Sequence, residues 1–198
     1  NMLSFKESLK ILKKTNALQE GHFILSSGLH TSVYIQCARL LSHPDKAAII
    51  CSSLSDKIKN EFPEIDVVLS PALGGIVVGY EIGRQLNKKT IFAERVEGKL
   101  TLRRGFEINS KLNVLIVEDV ITTGKSALEC SNIVENNNAN LVGYACIIDR
   151  SDKNLLIKDK IVSQIKLNIS TFNENDIPDE LKKILPIKPG SRNISKWQ

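Results

Sequence analysis

Aromatic residues are scarce in this sequence: they make up 5% of its 198 positions, with one Trp and one Met. Its net charge of +5 comes from 27 Lys and Arg against 22 Asp and Glu, but no run of like charges gathers into a block. A basic protein can bind nucleic acid or small polyanions. Scattered lysines with few aromatics favour plain solubilising charge over a nucleic-acid surface. No apolar run approaches the length of a membrane helix. The opening residues show no signal-peptide pattern, and the cytoplasm is the expected location. Cys37, Cys51, Cys130 and Cys146 are widely spaced and form no C-x-x-C pair. That excludes an obvious disulfide frame or zinc site and predicts small buried apolar residues in a reducing compartment. His22, His30 and His43 lack metal-ligand spacing, and His30 is expected to face solvent from a loop. No internal repeat or linker divides the chain, so one sizeable domain over 1–198 is expected.

What the sequence does have is an alternation of apolar runs with helix-like stretches. Ser4 and Glu7 fit a capping box ahead of Phe5, Leu9 and Leu12, which predicts a helix over roughly 4–15. Two short strands are expected around the Ser26-Ser27-Gly28 turn, and Pro44 opens a helix to about Asn60. Asp66–Leu69, Thr90–Ala93, Val114–Val117 and Leu141–Ile148 read as strands, with helices after the first, to about Leu86, and after the third, over about 124–136. Such alternation argues for an α/β fold with a mostly parallel sheet covered by helices. Ile161–Ile169 is a candidate edge strand and Pro178–Leu185 a short helix. Trp197 is expected to pack on the surface.

The run Val114–Val117 ends abruptly in Glu118 and Asp119, then Val120, Ile121, Thr122, Thr123, Gly124, Lys125 and Ser126. Four apolar residues suit a strand buried on both faces. Hydroxyls, a lysine and the N–H groups of a helix start suit a phosphate. Adjacent carboxylates on a strand end diverge, so they suit two hydroxyls of one ring better than a shared proton. The competing reading is that they cap the following helix. Gly124-Lys125-Ser126 resembles the end of a nucleotide P-loop, but Asp119 stands where its first glycine belongs, which excludes that motif. A phosphate cradle beside paired acids points to a sugar phosphate.

Three other segments carry chemistry. Ala72, Leu73, Gly74 and Gly75 follow a strand and clear Cβ bulk for a backbone that approaches a pyrophosphate, although a plain tight turn has the same composition. Residues 94–104 hold Arg95, Lys99, Arg103 and Arg104 against Glu94 and Glu97, a surplus that could neutralise a leaving pyrophosphate or decorate a solvated hairpin. Arg150 follows a buried strand, where its forked donor suits a planar carboxylate or pairs with Asp149 or Asp152.

Val114–Ala127 resembles the ribose-phosphate signature of the type I phosphoribosyltransferases. Gly21–Gly28 with Tyr34, Ser70–Gly75, Phe92–Phe106 and Asp149-Arg150 narrow the resemblance to orotate phosphoribosyltransferases over roughly residues 5–150. The resemblance implies the type I fold, with a hood from about 1–41 and a core from about 62–150. It implies that Glu118 and Asp119 hold the ribose of phosphoribosyl pyrophosphate (PRPP), Thr122–Ser126 the 5-phosphate, with Val120 and Ile121 also in the PRPP-binding set, and Ala72–Gly75 the pyrophosphate. Thr122 and Arg150 would hold orotate, and Arg95, Lys99 and Asp119 would be catalytic. Mg²⁺ would bind mainly through substrate oxygens, with no dedicated protein ligand. A homodimer sharing lid residues is also implied. The chain departs from the family pattern in lacking a lid His, in placing Val96 after Arg95, and in carrying Lys125 within the phosphate loop. The alternatives are a purine or uracil phosphoribosyltransferase and, from another class, a nucleic-acid-binding regulator that senses PRPP.

Overall fold

In the computed structural model, which describes residues 1–190, the chain runs α1 (Phe5–Lys14), β1 (Leu18–Ile24), β2 (His30–Ile35), α2 (Cys37–Leu41), α3 (Pro44–Glu61), β3 (Val67–Pro71), α4 (Gly74–Leu86), β4 (Lys89–Val96) and β5 (Lys99–Leu102). It continues through β6 (Asn113–Ile121), α5 (Lys125–Asn136), β7 (Asn140–Asp149), β8 (Ile161–Lys166), β9 (Thr171–Phe172) and α6 (Asp179–Lys182). Local chemistry sets several of these ends. The Ser4 hydroxyl accepts the Glu7 N–H, and the Glu7 carboxylate accepts the Ser4 N–H at 2.7 Å, which closes the predicted capping box. Pro44 starts α3 where no N–H is needed.

Six strands form the central sheet in the order β5-β4-β3-β6-β7-β8, parallel except for the β4–β5 hairpin. Val114 to Val117 of β6 are fully buried, as a central parallel strand requires. One apolar cluster joins α1, α3 and α4 to one face through Leu12, Leu54, Ile82 and Val117. A second joins α5 to the other through Ile91, Ile116, Cys130 and Tyr144. All four cysteines are free and buried, as their spacing predicts. This is the mostly parallel, helix-covered sheet expected from the alternation of elements.

The smaller sheet has the order β1-β2-β9. Its third strand comes from the far end of the chain, and Ile187 bridges to Phe23 on the outer side of β1. The hood is therefore built from both ends of the described chain rather than from the first residues alone. This arrangement also corrects the expectation for His30. It is 6% exposed and His22 4%, their Nδ1 and Nε2 atoms lie 2.6 Å apart, and the His22 Nδ1 lies 2.9 Å from the Ile184 carbonyl. The C-terminal segment covers the pair. Phe23 and Tyr34 stack on each other with centroids 5.7 Å apart. Trp197 lies outside the described residues.

Candidate active site

From β3 the chain passes to β4 and β5 on one side of the sheet, whereas from β6 it passes to β7 and β8 on the other. The order thus reverses between β3 and β6. Helices that leave these strands go to opposite faces, and open α/β sheets bind ligands in the crevice left at such a point. The segments at these two carboxyl ends are Ala72–Gly75 and Glu118–Ser126.

They meet there. A Cβ on Gly74 would lie 3.2 and 3.3 Å from the carboxylate oxygens of Asp119, so a larger residue would press on that group. A Cβ on Gly75 would lie 3.0 Å from the Pro71 ring and 3.3 Å from the Val117 carbonyl. The Ala72–Leu73 peptide is cis, and α4 starts at Gly74, which puts its free N–H groups at this edge. A cleft of about 580 Å³ opens beside Asp119, lined by Gln36, Ala38, Leu41, Leu73, Gly74 and Val77. Another hollow, of about 390 Å³, lies on the hood between Val33, Phe172 and Leu181 and touches none of these groups.

Glu118 and Asp119 diverge as adjacent strand residues must. Burial raises the thiols of Cys37, at the start of α2, and Cys130 of α5, and the Asp119 charge adds to the first and the Glu118 charge to the second. Burial, with the neighbouring Asp119 charge, pushes the Glu118 carboxyl up to about 7. Burial also raises Asp119, against a 2.8 Å hydrogen bond that its carboxylate accepts from the Val120 N–H. Neither acid caps α5: its N-cap is Gly124, without a side-chain cap bond. Two half-buried acids with no cation beside them, among the described residues, are poised for a ligand.

The loop after them is braced from an unexpected quarter. Gly124 has φ +76°, and a Cβ there would lie 3.2 Å from Ile157 and Leu155. The Thr123 carbonyl accepts the Leu156 N–H at 2.8 Å, and the Ile121 carbonyl accepts the Arg150 N–H at 2.9 Å. Residues 150–157 thus hold the loop rigid and fix Arg150 at the same edge. Arg150 is half-buried, burial lowers its pKa, and no carboxylate pairs with it among the described residues. Asp149 turns instead to the Ser151 N–H and Lys166, and Asp152 to the Asn154 N–H. The expected competitors for its guanidinium are otherwise engaged.

Residues 94–102 form the β4–β5 hairpin, turned through Glu97 and Gly98, both at positive φ. β4 runs past the expected Ala93 to Val96. Arg95 pairs with Glu129 of α5, and Arg104 pairs with Glu94 and lies 5.9 Å over the Phe92 ring. Lys99 and Arg103 are exposed and make no ion pair among the described residues. Sequence reading passed over Glu129. Ser126 and Glu129 have capping-box spacing, but the helix starts at Gly124 and Glu129 turns to the hairpin.

The phosphoribosyl transferase domain family matches residues 38–180. The chain belongs to the phosphoribosyltransferase family. An orotate phosphoribosyltransferase of Thermoanaerobacter sp. (strain X514) is 42% identical over 189 residues, 96% of this chain and 98% of that relative. Among solved structures, the Aeropyrum pernix orotate phosphoribosyltransferase matches with a TM-score of 0.64 at 24% identity, over 80% of this chain and 92% of that one. A Saccharomyces cerevisiae adenine phosphoribosyltransferase matches at 0.61 and 16%, over 79% and 99%. These last two speak for the phosphoribosyltransferase fold, which serves more than one base; the choice of base lies in the site.

Proposed function

We propose that this phosphoribosyltransferase transfers the phosphoribosyl group of PRPP to orotate, giving orotidine 5-phosphate and pyrophosphate in pyrimidine synthesis. The observation that carries the choice of base is Arg150: a half-buried guanidinium with no carboxylate partner among the described residues, beside the proposed phosphate loop. Orotate bears a carboxylate, and purines and uracil do not. The close orotate phosphoribosyltransferase relative supports the same choice.

The ribosyl C1–O bond breaks and a C1–N bond forms, through an oxocarbenium-like state like that of glycoside transfer. Orotate's ring nitrogen loses its proton readily, so the protein needs no strong base. Its work is to position the substrates and neutralise charge. Glu118 and Asp119 accept hydrogen bonds from the ribose hydroxyls. The N–H groups and hydroxyls of Thr122–Ser126 hold the 5-phosphate, with Val120 and Ile121 as its strand-end base and Thr122 also at orotate. Ala72–Gly75, facing Asp119, take the pyrophosphate. Lys99 brings a free cation from the hairpin that Arg95 steadies. Bound Mg²⁺ would offset pyrophosphate charge. Oxygen donors suit it: Asp119 is the carboxylate that faces the Ala72–Gly75 loop, and substrate oxygens and water would supply most of the ligands.

Leu73, Val77 and Tyr80 follow one another at helical spacing and are 84%, 53% and 67% exposed. This apolar face on α4 supports a homodimer. No helix among the described residues is long and apolar enough to cross a membrane, and four buried free thiols support a reducing, cytoplasmic setting. Loss of orotate absorbance on mixing with PRPP and Mg²⁺ tests the reading. Turnover with a purine or uracil, and none with orotate, would overturn it.

A further inference from the structure

Of the cations in the β4–β5 hairpin, Arg95 has the fullest set of partners. Its Nη1 donates to Glu129 Oε2 at 2.9 Å and to the Gly98 carbonyl at 3.0 Å; its Nη2 donates to Glu129 Oε1 at 2.9 Å and to Ser126 Oγ at 3.4 Å. One guanidinium therefore ties three places together: the hairpin turn, the body of α5 and the phosphate loop. Arg95 stands opposite Leu100 in the hairpin register, and Leu100 is buried in the apolar cluster shared with α5. Arg95 and Leu100 thus share the hairpin face that meets this helix. A forked guanidinium–carboxylate pair is the geometry in which such a contact is strongest and most directional. The Arg95 hydrogen bonds hold the Glu129 carboxyl below its ordinary range, and the Leu100 N–H adds to this.

Ser126 gives the arrangement a chemical direction. A hydroxyl has one proton to donate and two lone pairs. Because Ser126 Oγ accepts from Arg95, its own O–H is left to point elsewhere, and the phosphate loop is where it lies. Resting on the phosphate-loop reading, we propose that Glu129 is a positioning residue. Through Arg95 it pins the hairpin to α5 and turns the Ser126 hydroxyl into a donor for the 5-phosphate, so that phosphate binding and hairpin stance are coupled. Arg95 is then an anchor, and Lys99, without an ion pair among the described residues, remains as the hairpin's cation for the leaving group.

Steady-state kinetics of Arg95→Ala, Glu129→Gln and the double variant test this. Each single change raises the PRPP KM by about tenfold and leaves the orotate KM in place, and the double variant is no worse than the poorer single. Additive losses, or a wild-type Glu129→Gln beside a crippled Arg95→Ala, overturn it, since Arg95 would then act on substrate directly. Hydrogen exchange with ribose 5-phosphate alone needs no turnover. The ligand slows the amides of residues 95–101 in the wild type but not in Glu129→Gln, while β6 amides stay equally protected in both and report an intact fold. Equal slowing in both proteins overturns the proposal. A wild type that slows exchange but does not consume orotate refutes the proposed substrate and leaves the coupling standing.

Discussion

The end of β6 and the β4–β5 hairpin both project from the carboxyl edge of one sheet, but they treat charge in opposite ways. At the end of β6, Glu118 and Asp119 are half-buried with no cation beside them among the described residues, and burial raises both carboxyls. In the hairpin and just after it, Arg95 and Arg104 are exposed and each is forked onto a carboxylate. Sequestered charge without a partner costs folding free energy, and a protein keeps it where a ligand will supply the missing partner. Exposed, paired charge costs little and contributes little to stability. Position at the sheet edge alone therefore does not decide how a charged side chain is held; its burial and its partners do.

The sharpest way to break this contrast is Asp119→Asn. Turnover should fall by about a hundredfold or more, while the thermal midpoint stays level or rises because a sequestered charge is gone. A large loss of stability would mean that the acid is structural after all. Arg150→Ala comes next. It should raise the orotate KM about tenfold to a hundredfold, as loss of a charge-assisted hydrogen bond does, and leave the PRPP KM nearly unchanged. Competition by orotate against bound PRPP, measured on both proteins, checks that split.

Glu118 sets a pH-dependent test. Its folded pKa of about 7 lies above the 4.5 of the free group. The folded state therefore holds the extra proton between those values, and stability falls as pH rises through that window. Glu118→Gln removes this loss. Its advantage over the wild type should be small near pH 5 and reach on the order of 1–3 kcal/mol near pH 8, read from denaturant midpoints at each pH. An advantage that shrinks with rising pH would show that Glu118 is charge-stabilised. The smallest effect belongs to Glu94→Gln. Its pair with Arg104 is exposed, so the thermal midpoint should move by no more than about 2 °C. A larger drop would place the hairpin among the stabilising parts of the molecule.

Much of the site was legible because its signals are local. The apolar run into Glu118-Asp119, the glycines at 74 and 75 and the basic residue after Asp149 each sit at a strand end that periodicity locates. The capping box at Ser4 and the proline opening of α3 are likewise short-range devices. The parts that were not legible are contacts between distant segments. Thr171–Phe172 completes the hood sheet with β2, and Ile187 lies along β1. Leu155 and Ile157 pack on Gly124, and Glu129 holds Arg95 across 34 residues. His30 was misjudged for the same reason: nothing near it in sequence announces the chain that covers it.

The sequence by itself determined which elements form and what chemistry stands at their ends, because helix caps, strand burial and a glycine's positive φ depend on near neighbours. Only the tertiary structure decided which ends meet. The reversal of strand order between β3 and β6 brings Gly74 against Asp119, and the return of residues 150–157 braces the Thr122–Ser126 loop. The physical reason is that strand pairing and side-chain packing between remote segments are selected by the global burial of apolar surface, which no local pattern encodes.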